Sequence, residues 1–227
     1  MSKSIGGFAM MIFAHRAGAG RRLADALSEY ADRDDVVVIG LARGGVPVAA
    51  EVAAALHAPL DVLVVRKLNV PGQEEIAFGA IAPGEAVVIN DRWAKRLPSG
   101  AIQFVVARER LEVARAQHKY RGTRPPVEAR DKVAILVDDG LGTGATMRAA
   151  IRAVRRSQPK EIVIAVPVAE RDSLNEVSRE ADKAVCLAEP QQFTAVSLWY
   201  VDFPTVTDED IEEALTHQEA GVHHALT

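Results

Sequence analysis

The sequence predicts an α/β fold, a three-layer α/β/α sandwich with a mainly parallel central sheet, from three observations. Short β-branched runs recur between alanine-rich amphipathic stretches, and strand-helix alternation builds layers of this kind. The runs are near-continuously apolar rather than alternating, the mark of strands covered on both faces. One of them leads through a turn of small residues directly into a helical pattern, the junction at which open α/β sheets bind ligands.

In chain order, Lys3 and the apolar run after it imitate a signal peptide, but the run is short, broken by glycine and followed by His15 and Arg16. Residues 1–12 therefore read as an N-terminal extension, with Met10 or Met11 as alternative starts. Gly18 to Tyr30 reads as a helix, Val36 to Ile39 as a strand, and Pro47 to Leu56 as a helix with its proline in the first turn. Leu60 to Val65 is the next strand. Residues 66–90, with Pro71, Gly72, Gly79, Pro83 and Gly84, leave the rhythm and read as a flexible loop with an antiparallel hairpin. Ser99 to Tyr120 is an inserted charged helix, solvated or facing a second subunit, that stops at Gly122 and Pro125-Pro126.

Val133 to Val137, Ile162 to Val166 and Ala184 to Leu187 complete the strands. Between them lie helices over Thr146 to Ser157 and over Asp172 to Glu180, the second capped by Asp172 or Ser173. Residues 189–210 read as a small hood, and Asp208 to Glu213 as a capped, acidic surface helix. The whole, 1–227, reads as one domain.

Composition narrows the classes. With 48% hydrophobic residues and a formal net charge of -4, the chain can bury a full core, and no nucleic-acid or membrane partner is expected. No run approaches the roughly 20 apolar residues of a spanning helix. The single cysteine, Cys186, lies in an apolar run and reads as a core thiol, which with the lack of zinc-ligand spacing favours a cytoplasmic protein. His217, His223 and His224 read as a tail rather than a metal site.

The chemistry concentrates in Val133 to Thr146, VAILVDDGLGTGAT. Asp138 and Asp139 stand at the carboxyl end of a buried strand. In the following turn Gly142 and Gly144 allow positive φ and close approach of an anion, Thr143 and Thr146 add hydroxyl donors, and the next helix offers its amide-rich N-terminus. Two adjacent carboxylates disfavour that phosphate; their partners are sugar hydroxyls or a divalent cation. Phosphate and vicinal hydroxyls together describe a ribose 5-phosphate. A nucleoside-triphosphate loop would need lysine where Ala145 stands, and no G-x-G-x-x-G follows the first strand.

This segment resembles the 5-phosphoribosyl-1-pyrophosphate (PRPP) signature of type I phosphoribosyltransferases, and with Arg43-Gly44-Gly45, the Lys67 region and the C-terminal aromatic segment the likeness extends over roughly residues 13 to 210. It is especially similar to bacterial members assigned by sequence. The resemblance implies that Asp138 and Asp139 hydrogen-bond the ribose hydroxyls and that Gly140, Leu141, Gly142, Thr143, Gly144, Ala145 and Thr146 cradle the 5-phosphate. Leu41 to Gly45 corresponds to the family's pyrophosphate loop, often built on a non-proline cis peptide; Ala42, Arg43, Gly44 and Gly45 are the counterparts here, with Ala42-Arg43 the candidate bond. Arg43 and Lys67 are then the pyrophosphate anchors, with Lys67 placed to neutralise charge on the leaving group, and Asn69 to Ala82 resembles the flexible loop that closes over the reaction.

Carried through, the resemblance implies a transferase in which Arg43, Lys67, Asp138 and Asp139 carry the site. Magnesium would be held mainly by PRPP near the two aspartates, and an N-nucleophile such as a base or related amine would displace pyrophosphate in a homodimeric protein. Gly142 departs from the 6-oxopurine enzymes, which have aspartate there. Phe193, Trp199 and Tyr200 are candidates for stacking on the acceptor; His15 and Arg16 are candidates to join the site, with a structural role as the alternative. A PRPP- or nucleotide-sensing regulator, and a hydrolase or phosphorylase, remain open.

Overall fold

The computed structural model describes residues 13–124 and 126–224. The expected extension over 1–12, with its alternative starts, and Pro125 lie outside them. The elements are α1 (Arg16–Ala26), β1 (Val36–Ala42), α2 (Gly45–Leu56), β2 (Leu60–Val64), β3 (Arg66–Val70), β4 (Gln73–Ala82), β5 (Ala86–Ile89), α3 (Asp91–Ala94), α4 (Ser99–Arg121), β6 (Val133–Val137), α5 (Ala145–Arg155), β7 (Glu161–Val168), α6 (Arg171–Ser178), β8 (Lys183–Ala188) and α7 (Asp208–His224).

Five strands form a wholly parallel sheet in the order β2-β1-β6-β7-β8. Successive strand residues point to opposite faces, and here both faces are apolar. Val36 and Val38 of β1 meet Leu23 of α1 and Val48 and Val52 of α2. Val37 and Ile39 face the other way, toward Met147 and Ile151 of α5 and Val177 of α6. That double burial is why the strands read as uninterrupted apolar runs. Among the described residues no helix is long and apolar enough to cross a membrane.

The 66–90 segment is more regular than a flexible loop: β3, β4 and β5 form a three-stranded antiparallel sheet. Pro71-Gly72 makes its first turn, with Gly72 at φ 79°. Leu68, Phe78 and Ile81 of this sheet pack with Val105 and Val113 of α4 and with Ile211 and Leu215 of α7.

Helix α4 is thus half docked rather than simply solvated. It also closes an exposed sheet edge. The Gln117 side-chain amide donates to Val62 O at 2.8 Å and accepts from Val64 N–H at 2.9 Å, standing in for one residue of a neighbouring strand beside β2. Arg121 reaches Asp61 of β2 at 2.7 Å.

Two helix ends differ from expectation. The N-cap of α6 is Glu170, whose carboxylate accepts from the amides of Asp172 and Ser173; glutamate is an uncommon cap, whereas Asp172 and Ser173 are of the residue types that usually cap. The acidic helix expected over Asp208 to Glu213 runs on to His224, and its Ile211 and Leu215 are buried.

Candidate functional site

Strand β6 sits between β1 and β7, so its carboxyl end opens at the middle of the sheet. Asp138 continues the ladder, its amide donating to Ala165 O at 3.4 Å, and the Asp139 amide donates to the Asp138 carboxylate at 2.9 Å. The Asp139 side chain is 15% exposed and takes Arg16 Nε and Nη2 on one oxygen, each at 2.9 Å. Burial pushes the Asp138 carboxyl well above the ordinary carboxylate range, and the adjacent Asp139 charge adds to this. Burial raises Asp139 as well, against the pull of Arg16. Desolvated carboxylates with few donors gain from hydroxyl groups brought to them.

After the aspartates the chain is pinned to β7 and the residues beyond it: Leu141 N–H donates to Val168 O and Glu170 N–H to Leu141 O, both at 2.8 Å. A Cβ at Gly140 would overlap Val196, so this position is glycine for packing. Gly144 has φ 72° and is the N-cap of α5, with no side-chain cap and no acidic residue in the first turn. The first helical amides lack intrahelical acceptors and suit an anion. Gly142 is different from the expectation of positive φ: only Gly144 of the pair has it, and a Cβ at Gly142 would meet nothing within 4 Å.

The turn after β1 lies against this loop. The Ala42-Arg43 peptide is cis, as the resemblance implied. A Cβ at Gly44 would overlap the Asp139 carboxylate, and one at Gly45 would overlap Val137 O and the Asp138 backbone. The Ala42–Gly45 backbone therefore shares one floor with the acidic pair. The Arg43 guanidinium does not point to that floor: it lies 3.4 Å from Val206 O and 3.5 Å from Asp208. Lys67, on β3, does act on it, its charge favouring the ionised form of both Asp138 and Asp139. Its neighbour Arg66 is drawn the other way, onto the buried Glu109 of α4.

The remaining wall is assembled from the two distant ends of the described chain. Phe13 N–H donates to Trp199 O at 3.1 Å and Val201 N–H to Phe13 O at 2.9 Å. Tyr200 Oη donates to Asp139 O at 2.6 Å. Arg16, whose side chain is 10% exposed, lies 3.6 Å above the Phe203 ring and donates Nη1 to Pro204 O at 2.7 Å.

This corrects the acceptor reading. Trp199 and Tyr200 are 8% and 2% exposed and pack with Phe13 and Val168, so their faces are spent in a core rather than offered for stacking. Phe193 is partly buried against the same cluster. Of the two N-terminal candidates, Arg16 joins the site, whereas His15 caps α1 by accepting from Gly18 N–H at 3.1 Å. A lone arginine at a helix start carries no periodic signal, so the sequence made Arg16 a candidate without naming Asp139 as its partner.

Cys186 packs partly buried against the core, where burial pushes its thiol up to about 11. Among the described residues no group of three or more His, Cys, Asp or Glu side chains converges on a metal position.

The sequence model of the phosphoribosyl transferase domain matches residues 11–198. Rv0571c of Mycobacterium tuberculosis, a provisionally named phosphoribosyl transferase, is 42% identical over 204 residues, 89% of this chain and 46% of that protein. The chain thus spans about half the length of that curated relative. A protein named bifunctional protein PyrR from Clostridium acetobutylicum is 31% identical over 134 residues, 59% of this chain and 57% of that one. Among solved structures, TT1426 from Thermus thermophilus superposes with a TM-score of 0.75 at 39% identity, covering 92% of this chain and 99% of that one.

Proposed function

The chain belongs to the phosphoribosyl transferase domain family, and from that premise we propose that it binds PRPP with magnesium and transfers the 5-phosphoribosyl group to an N-nucleophile with release of pyrophosphate. The observation that carries this reading is the pair of desolvated carboxylates at the end of β6, with the anion-receptive turn into α5 immediately after them. In the proposed complex Asp138 and Asp139 accept from the ribose hydroxyls, and the Gly140–Thr146 turn takes the 5-phosphate. The amides of Ala42–Gly45 and Lys67 face the pyrophosphate. Arg43 joins them only after leaving Asp208.

Two adjacent carboxylates supply hard oxygen donors but not a complete cage, so magnesium fits here as part of the substrate, where it offsets pyrophosphate charge. Pyrophosphate leaves C1 as the nucleophile arrives on the opposite face, through an oxocarbenium-like state. The residues contribute positioning and charge stabilisation. The acceptor is a purine or pyrimidine base or a related amine, and the Arg16-Phe203 unit, rather than Trp199 or Tyr200, borders its side of the site. The proposal includes a homodimer through α4, whose outer face leaves Phe104 66% and Leu111 72% exposed; sedimentation velocity reads that directly.

Calorimetric titration of PRPP with magnesium, repeated on the Asp138→Asn/Asp139→Asn double variant, tests the site: equal affinity in both proteins removes it. Pyrophosphate release is then followed across a panel of bases and amines. A second reading, a PRPP- or nucleotide-sensing regulator, is favoured by Gly142, which has room for the carboxylate of the 6-oxopurine enzymes but lacks it. Tight PRPP binding with no pyrophosphate release over the panel selects that reading.

A further inference from the structure

On the flank of the Ala42–Gly45 turn away from β6 lies a cleft of about 260 Å³ between the ends of β1 and β2, the start of β3, and α4. Arg43, Arg66, Arg115 and Lys119 line it, with Tyr120, against the carboxylates of Glu112 and Asp208. With Arg66 offset by Glu109 outside the lining, three cations face two carboxylates, the reverse of the chain as a whole, whose net charge is -4.

The acidic partners are already committed. Asp208 accepts from Lys119 Nζ at 2.7 Å and Tyr120 Oη at 2.6 Å, and stands 3.5 Å from Arg43. Glu112 lies 3.9 Å from Arg115, a loose contact that leaves the Arg115 side chain 82% exposed. The Asp208 contact holds Lys119 above its ordinary range and so charged. An arginine fork, an ammonium and a phenol around one small polar space match the oxygens of a multiply charged phosphate.

We propose that this cleft is a second anion site, taking a phosphate-class ligand such as inorganic pyrophosphate or the polyphosphate tail of a nucleotide, and distinct from the seat beside Asp138 and Asp139. Its walls come from the ends of β1 and β2, the start of β3, α4 and Asp208 of α7, and none of the Gly140–Thr146 turn residues is among its lining. Ala42 and Arg43 are common to the cleft and the proposed pyrophosphate loop, and Arg43 is the shared cation, so an anion in the cleft competes with Asp208 for that guanidinium.

The test is calorimetric, on the full chain. Inorganic phosphate, pyrophosphate and ATP are titrated separately into the wild type, Arg115→Gln and Lys119→Ala, with ribose 5-phosphate as the control ligand for the β6 turn. The expected result is pyrophosphate or ATP binding at least tenfold weaker in both variants, with ribose 5-phosphate affinity within twofold of wild type. Tighter binding of ATP than of pyrophosphate assigns the site to nucleotides, and the reverse to inorganic anions. Because Arg115 is so exposed, its variant keeps the question open to measurement even if Lys119→Ala unfolds. Unchanged pyrophosphate and ATP isotherms in Arg115→Gln overturn the proposal, as does a parallel loss of ribose 5-phosphate binding, which would make the cleft an extension of the first site. Failure of all three anions to bind the wild type overturns it too, whatever PRPP does.

Discussion

Replacing Arg16 by alanine removes a cation that directly touches Asp139, and the cost follows from where that pair lies. The side chains are 10% and 15% exposed, so the partner left behind cannot rehydrate freely. Breaking a buried pair by deleting one member costs about 3–5 kcal/mol, mainly through the uncompensated charge. The lost Pro204 hydrogen bond and Phe203 stacking lie within the same removal. At about 2–4 °C per kcal/mol for a chain of this size, the melting temperature should fall by on the order of 10 °C.

The loss should depend on pH. Asp139 already has a raised proton affinity, and without Arg16 it rises further. A carboxylate whose folded pKa exceeds its unfolded value binds protons on folding, so stability falls as pH rises through the window between the two. The variant's deficit therefore grows with pH and is larger at pH 8 than at pH 5. Adding Asp139→Asn should return about half of the loss at pH 8 and little at pH 5. Urea unfolding of the four proteins at both pH values measures this. A deficit below about 1 kcal/mol, or one equal at both pH values, refutes the account.

Asp138→Asn removes a carboxylate that burial and Asp139 hold above its ordinary range, so by the same sign this variant should be more stable than wild type at pH 7.5, by about 0.5–2 kcal/mol, while losing PRPP binding. The advantage shrinks toward pH 4, and thermal melts across that range check it. Gln117→Leu leaves Val64 N–H at the β2 edge without its partner and Val62 O with the longer Arg121 contact of 3.4 Å, and should cost about 1–3 kcal/mol, with faster hydrogen exchange at Val64. Gly142→Asp places a side chain in open space at a non-positive φ, so its stability should stay within about 0.5 kcal/mol of wild type by urea titration. That makes it a clean probe of whether 6-oxopurines become acceptors.

The layered fold was legible because both faces of the sheet are covered. Val36, Val37, Val38 and Ile39 alternate between two apolar surfaces, which leaves an unbroken signature in the chain. The acidic pair and the turn to Thr146 were legible for a related reason: they are contiguous, so one strand-turn-helix unit carries the arrangement. The contacts of Arg16 and Tyr200 were not: both residues were candidates, but they meet Asp139 from 123 and 61 residues away, and no local period encodes such a meeting. Trp199 and Tyr200 were misread for want of burial information: an aromatic pair looks the same in sequence whether it packs against Phe13 or faces a ligand. The β3–β5 region looked irregular because glycines and prolines signal turns without saying how much strand lies between them.

The clasp around Asp139 has a consequence for the order in which the protein comes into being. Phe13 pairs with Tyr200, and Arg16 reaches Pro204 across 188 residues. A ribosome can release β6 and its acidic pair long before the segment that fastens them has been synthesised. The parallel strands β1, β2, β6 and β7 can associate in the nascent chain, but Asp139 gains its Tyr200 contact only after a further 61 residues have been added. The wall around Asp139 is therefore completed after its strand, and a product terminated between them would carry the turn without the contacts that steady it.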